Sequence, residues 1–275
     1  MKFLDKKNRL FGKIHVAFLL LPIFLIFISL LVWQVVTSKP DYVLVRVKGS
    51  PGNWWWVTPR PPDWLVSSIK PGDKEYNTLG RTTAEIITVN IYDAGGPTKD
   101  IYLMVKIAAK LNKRTQRYRY KGEPLVIGGP ISLELSKTLF PGIIVDIRDI
   151  DSQEEKKTVE KILTVRQFDR WPWGFDAIKV GEKMTTGEGE VIAEILDKWK
   201  IPAEKEAYTD TGKILKTYSP IRYDFFIKLK IKAVEQEGEL IFREEQYLKV
   251  SNWIWIMFPN YNISGAEIVA IQEVQ

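Results

Sequence analysis

The stretch Ile69-Lys70-Pro71-Gly72-Asp73-Lys74 (IKPGDK) returns as Ile178-Lys179-Val180-Gly181-Glu182-Lys183 (IKVGEK), 109 residues further along a chain of 275. At the same offset, Gly80 and Ala84-Glu85-Ile86-Ile87 match Gly189 and Ala193-Glu194-Ile195-Leu196. The block Asp100–Ala109 (DIYLMVKIAA) then matches Asp224–Ala233 (DFFIKLKIKA) at an offset of 124, so fifteen residues enter one connection, Thr88–Lys99 against Asp197–Tyr223. A fourth block pairs Pro141-Gly142 and Ile143–Ile147 with Ser264-Gly265 and Ala266–Ile271. Four blocks in one order describe a tandem duplication, with units at 41–148 and 158–275.

Each unit reads as strands. Ile227, Leu229 and Ile231 alternate with Lys228, Lys230 and Lys232, the period of two that marks a half-buried strand. Tyr42–Val47, Ile131–Leu135 and Trp253–Ile256 behave alike. Glycines and prolines interrupt the runs every ten or so residues, as in small barrels and sandwiches. The expected fold is all-β, two tandem small β-barrel or sandwich domains. In the linker Arg148–Lys157, Ser152 and Glu155 have capping-box spacing and predict a short helical turn.

Ahead of the units, Ile14–Val36 is an apolar run of 23 residues broken only by His15, Ser29 and Gln34. A helix of roughly 20 such residues crosses a bilayer, and Pro22 is tolerable in one. The run is longer than the ~7–15 residues of a signal-peptide core and lacks its small-residue end. The tail 1–13 carries five basic residues against Asp5. The positive-inside bias then predicts a single-pass cell-membrane protein with a cytoplasmic N-terminus and the bulk of the chain extracytoplasmic. Trp33 and His15 fall at the two boundaries of the span.

Lys+Arg total 40 and Asp+Glu 34; outside the tail the balance is 35 to 33, too even for a nucleic-acid surface. Without cysteine there is no disulfide, thiolate site or Cys nucleophile. A single histidine removes His-based acid/base pairs and His metal clusters. Asp146, Asp149 and Asp151 lack the spacing of a calcium loop and read as a strand end entering the linker. Glu188-Gly189-Glu190, Gly95-Gly96-Pro97 and Gly128-Gly129-Pro130 read as turns without phosphate-loop spacing. No carboxylate pair stands out for glycosidic chemistry. The chain is expected to be non-enzymatic, with no cofactor, no metal and no nucleic-acid partner.

Interaction residues are expected instead. Trp54, Trp55, Trp56 and Trp64 lie in a loop with Pro59, Pro61 and Pro62, and Trp171 and Trp173 flank Pro172 at the corresponding place in the second unit. One or two rings per unit are expected to plug a barrel end. Adjacent residues of an extended chain face opposite ways, so at least one of Trp54–Trp56 should be exposed. The linker Thr37–Tyr42 spans at most about 20 Å, which places this loop against lipid headgroups or a neighbouring span. Trp253 and Trp255 lie in a run of consecutive apolar residues, expected to be covered on both faces, by the core and by a partner. Finally, Arg114, Arg117 and Arg119 lie in a hairpin of six basic residues and no acid, whereas Glu235, Glu237 and Glu239 lie in its counterpart of five acids and one base. Opposite charge on equivalent hairpins suits head-to-tail contact between subunits.

The tail Asp5–Ile14 running into an apolar span, the I-K-x-G-D block, the D-x-Y-L-x-V-K strand from Asp100 and Val145-Asp146-Ile147 resemble a bacterial family of single-span membrane proteins with one outer β domain and no assigned function. The second unit would be an added copy. The order of Gly72-Asp73, the following strands and Leu139-Phe140-Pro141-Gly142 is also similar to the mammalian-cell-entry domain of bacterial lipid-transport systems. That likeness implies a seven-stranded barrel in hexameric rings, with Leu139–Gly142 as a pore loop. Together these readings imply a membrane-anchored structural or scaffolding subunit of a cell-envelope assembly. Its partners would be membrane lipids and other subunits of an envelope complex, in a homo- or hetero-oligomer. The alternative is a lipid- or glycan-handling module using the Trp-rich loops.

Overall fold

The structure, a computed structural model, describes residues 9–10, 14–37, 41–52, 59–150 and 157–274, with side chains for these except residues 9–20, 31–32, 34–37 and 207–208. The expectations for most of the tail, for Trp54, Trp55 and Trp56, and for the Ser152–Glu155 turn lie outside the described residues. In the N-terminal unit, 1–41, strands β1 (Arg9–Leu10) and β2 (Ile14–His15) pair antiparallel and lead into helix α1 (Val16–Thr37). All described α1 side chains are exposed. Among the described residues no helix is long and apolar enough to cross a membrane.

The first β module comprises β3 (Asp41–Gly49), α2 (Asp63–Val66), β4 (Lys74–Tyr76), β5 (Thr82–Asp93), β6 (Lys99–Asn112), β7 (Arg117–Tyr120), β8 (Glu123–Pro124), β9 (Pro130–Glu134) and β10 (Leu139–Asp149). The second comprises β11 (Lys157–Arg170), α3 (Pro172–Ala177), β12 (Lys183–Thr185), β13 (Val191–Tyr208), β14 (Ile214–Gln236), β15 (Glu239–Phe242), β16 (Gln246–Tyr247), β17 (Trp253–Met257) and β18 (Asn262–Glu273). Each forms one eight-stranded sheet of the same order. β4-β5-β6-β3-β10-β9 corresponds to β12-β13-β14-β11-β18-β17, with β7–β8 and β15–β16 attached at β6 and β14. The sheets curl so that one face of each encloses a core. Val43, Val45 and Val47 are buried in the first, and Phe225, Ile227, Leu229 and Ile231 in the second, while the intervening lysines of β14 point outward.

The repeated motif has a structural reason. Gly72 and Gly181 adopt φ of 88° and 83°, open to glycine at no steric cost. The Gly72 N–H donates to Ile86 O at 2.8 Å, as Gly181 does to Ile195 O at 2.8 Å. The register also repeats, Ala84 facing Ile107 as Ala193 faces Ile231, with a bulge directly after Ile86 and after Ile195. Ile69 and Ile178 are buried and close the barrel ends, as does Val66 of α2. Trp64, Trp171 and Trp173 do not: all three are exposed, Trp173 at 73%. The plugging expectation is not met by these three rings: α2 buries Val66 and α3 buries Gly174 with Phe175 packed against the core, which leaves the indoles outside; for Trp54, Trp55 and Trp56 it lies outside the described residues.

The fifteen extra residues lengthen one hairpin. β13 and β14 have 18 and 23 residues where β5 and β6 have 12 and 14, so a two-stranded arm extends past the sheet. The fourth repeat block is shifted by one from its sequence reading. Ile144 and Ile268 hold equivalent hydrogen bonds, to Gly128–Gly129 and to Ser251–Asn252, so Gly142 corresponds to Ala266 and Gly265, at φ 61°, is an inserted bulge residue. Leu139–Gly142 is no pore loop. It belongs to β10, paired with β9, with Phe140 buried in the core.

A Cβ on Gly142 would be driven into the Val47 side chain and to 2.9 Å of Lys48 O. Gly142→Ala is therefore expected to lower unfolding stability by about 1–3 kcal/mol, seen as an earlier urea midpoint. Ala266→Gly in the second module should cost about 0.5–1 kcal/mol.

Candidate interaction site: the module junction and the open outer face

The modules lie within one compact unit, 42–275, and meet through charge. The β15–β16 turn, Arg243-Glu244-Glu245, docks on the outer face of the first sheet. Arg243 Nη2 donates to Asp100 Oδ2 at 2.9 Å and to Asp93 O at 3.0 Å; the Arg243 and Asp100 side chains are 6% and 7% exposed. Arg60 Nε reaches the other Asp100 oxygen at 2.8 Å. Glu244 accepts from Asn90 Nδ2 at 2.8 Å and pairs with Arg46 at 3.2 Å. Glu245 pairs with Lys48 at 2.6 Å. The Gly187 N–H donates to Ile91 O at 3.0 Å beside an antiparallel bridge between Tyr92 and Thr186.

Tyr92 and Tyr102 belong to the first module but pack into the hydrophobic cluster of the second, edge to face at 6.2 Å. Burial, then the Glu244 and Glu245 charges, push their hydroxyls well above the ordinary tyrosine range. Burial disfavours the Glu245 carboxylate, yet its contacts with Lys48 and Tyr102 prevail and hold it below the ordinary carboxylate range. Beside the junction a cleft of about 470 Å³ is walled by Ile69, Val89, Ile192, Val234 and Phe242, with Arg46, Lys232, Glu190 and Glu244 among them.

The same face of the second module is open. By register, Asn90, Tyr92, Tyr102 and Lys48 correspond to Trp199, Ile201, Phe226 and Arg166. Trp199 stacks on Phe226 at 5.3 Å and 6°. The Arg166 guanidinium lies 5.6 Å from Phe226 and 4.3 Å from Phe168, and Phe168 lies 6.0 Å from Trp253. This row of aromatic rings and one guanidinium crosses the outer sheet face, with Trp199, Phe168 and Trp253 exposed.

Of the residues expected from sequence, Trp253 and Trp255 lie on this outer side, about half exposed, while Ile254 and Ile256 enter the core. Within the chain β17 is therefore covered on one face only, because period two sends alternate apolar residues outward. Trp171 lies under the Arg222 guanidinium at 3.6 Å. Arg114, Arg117 and Arg119 lie on the β6–β7 hairpin and Glu235, Glu237 and Glu239 on the equivalent β14–β15 hairpin. Within the chain no ion pair joins these two sets among the described residues. The acids of that stretch that meet the first module are Glu244 and Glu245, with Arg46 and Lys48 as their partners. Sequence reasoning missed Asp100, Tyr92, Tyr102, Trp199 and Phe226. The aspartate opening both matched strands, Asp100 and Asp224, was their only signal.

No protein-family model matches this chain, and no curated protein or solved structure matches it either. Among the described residues no group of three His, Asp or Glu side chains could hold a metal ion.

Removing Arg243 leaves the buried Asp100 carboxylate with Arg60 as its cation and takes away a charge-assisted hydrogen bond. Arg243→Met is expected to cost about 1.5–3 kcal/mol and to raise amide exchange at Ile91 and Tyr92. The depressed Glu245 carboxyl contributes stability fully above the ordinary glutamate value of about 4.3 and loses it as pH falls through the lower folded value. Exchange at those amides should thus rise only below about pH 4.3, and Lys48→Met should move the onset upward.

Proposed function

We propose that this chain is a non-enzymatic, membrane-anchored scaffolding subunit of a cell-envelope assembly, associating through its outer β modules. The observation that carries the reading is the second module's exposed aromatic face, at the positions that the first module keeps covered. Exposed contiguous apolar surface of this kind marks association sites. The anchor is supported by the 23-residue apolar run and the basic tail, and by α1, whose described side chains are exposed and mainly apolar. A helix apolar on all sides belongs in a protein core or a bilayer. The positive-inside bias puts the tail in the cytoplasm and both modules outside. The resemblance of the tail and first unit to a bacterial family of single-span membrane proteins of no assigned function supports the anchor.

The test is biochemical. Membranes from cells making the full chain should retain it through an alkaline carbonate wash, and in mild detergent its mass by light scattering should exceed one chain. Release by carbonate, or a lone chain without partners, would overturn the reading.

A second reading, a lipid- or glycan-handling module, is favoured by the apolar-walled cleft of about 470 Å³ beside the junction. On that reading lipid or glycan co-purifies with the chain, is detected by mass spectrometry, and is lost in Val234→Trp, which fills the cleft. Purified chain free of both would exclude it.

A further inference from the structure

We infer that a second copy of this chain docks on the open face of the second module by repeating, between chains, the junction that joins the two modules within one. The inference rests on the scaffolding reading and names its partner. The junction has two halves: the outer face of one module, and the end of the other made by its β12–β13 and β15–β16 turns. Within the chain, the first module supplies the face and the second supplies the end. The second module's face and the first module's end, the β4–β5 and β7–β8 turns, are left over.

These leftover halves differ from the sealed ones in a coordinated way. On the face, Trp199, Ile201 and Phe226 stand where Asn90, Tyr92 and Tyr102 stand in the sealed junction. On the end, Leu79 stands where Glu188 stands, and Lys121-Gly122 replaces Arg243-Glu244-Glu245. At Trp199, Ile201, Phe226 and Leu79 polarity is thus lost on both sides together, while Lys200 and Thr78, where the sealed junction has Ile91 and Gly187, add it back at the edge of the contact. Leu79 is 73% exposed, and Trp199, stacked on Phe226 along one face, is still 39% exposed.

The long hairpin fits the same arrangement. Its short counterpart, the β5–β6 turn, reaches the second module, where a side chain on Gly95 would lie 3.8 Å from Met257. The β13–β14 arm leaves the second module at the equivalent place and exposes Ile214, Leu215, Tyr218 and Ile221. In the repeated junction it runs along β9 of the next copy, where Glu134 takes the place of Met257. One contact is not identical. Gly187 touches Ile91 so closely that a Cβ there would lie 3.0 Å from Ile91 Cβ. Thr78, its counterpart, faces Lys200 only if the copies sit slightly further apart. Such a contact is heterologous, so copies join head to tail into a closed ring or an open row.

The chain has no cysteine, so introduced thiols report without background. Thr78 and Lys200 are both exposed and stand where Gly187 and Ile91 touch in the sealed junction, so a repeated junction brings them within reach of a disulfide, whose Cβ atoms lie ~3.8 Å apart. The full-length double variant Thr78→Cys/Lys200→Cys, mildly oxidised in membranes, is expected to give a ladder of two, three and more chains on a non-reducing gel. Each single variant should stay monomeric, and a mixture of the two should give dimers only. A double variant that remains a single band overturns the inference, as do dimers from either single variant, which signal a self-paired contact. Trp199→Glu and Leu79→Glu, each exposed and outside both cores, should reduce the detergent-solubilised mass to one chain; unchanged mass in both also overturns it. Wild-type mass above one chain with no ladder would sink this junction and leave the scaffolding reading standing. Wild-type mass of one chain with no partner removes both.

Discussion

Asp100 holds a carboxylate where water barely reaches, at 6% exposure. A charge in such a place is tolerated only when paired and hydrogen-bonded. Its two oxygens are met from different directions, by Arg60 of the first module and by Arg243 of the second. The second module's turn must therefore reach the start of β6. Once Arg243 is there, Glu244 and Glu245 fall against Arg46 and Lys48, Tyr92 and Tyr102 enter the neighbouring core, and the cleft beside them takes its walls. An ion pair of this kind adds little net stability over an apolar contact but penalises every arrangement that leaves the charge alone. It serves here as a register mark between modules.

The duplicated partner of Asp100 solves the same problem alone. Asp224, 2% exposed, pairs with Arg166 and accepts the Asp169 N–H at 2.9 Å, all within its own module. Its face needs no visiting guanidinium, so the surrounding positions were free to become Trp199, Ile201 and Phe226. The same strand framework thus yields one face whose buried charge takes a second cation from a neighbour and another that offers aromatic surface. Duplication supplied the geometry, and the local placement of a cation decided which use each copy could serve.

Much of the fold was legible in the residues. The I-K-x-G-acid motif repeats because a glycine with positive φ and a buried isoleucine are both needed to turn into β4 and β12. Lysine alternation along β14 reported its half-buried state directly. The fifteen-residue offset change was placed correctly, since residues added at the far end of a hairpin leave the pairing of the remaining strands untouched. The one-residue error in the last block arose at Gly265, because a bulge residue keeps its place in the sequence but loses its place in the ladder. The expectation that one or two rings per unit plug a barrel end is not met at Trp64, Trp171 and Trp173, which the structure leaves exposed.

The sequence by itself determined the duplication, the all-β modules, the apolar N-terminal run and the absence of cysteine chemistry, because each depends on residues close in the chain or on composition. Which charges meet was decided only by tertiary structure. Arg243 and Asp100 are separated by 143 positions, and no local pattern distinguishes Glu244 and Glu245, which dock, from Glu235, Glu237 and Glu239, which do not. The row from Trp199 through Phe226, Arg166 and Phe168 to Trp253 was likewise invisible, since its members come from separate strands. Cross-strand neighbours are set by sheet order and register, and those are settled only when the whole sheet closes around its core.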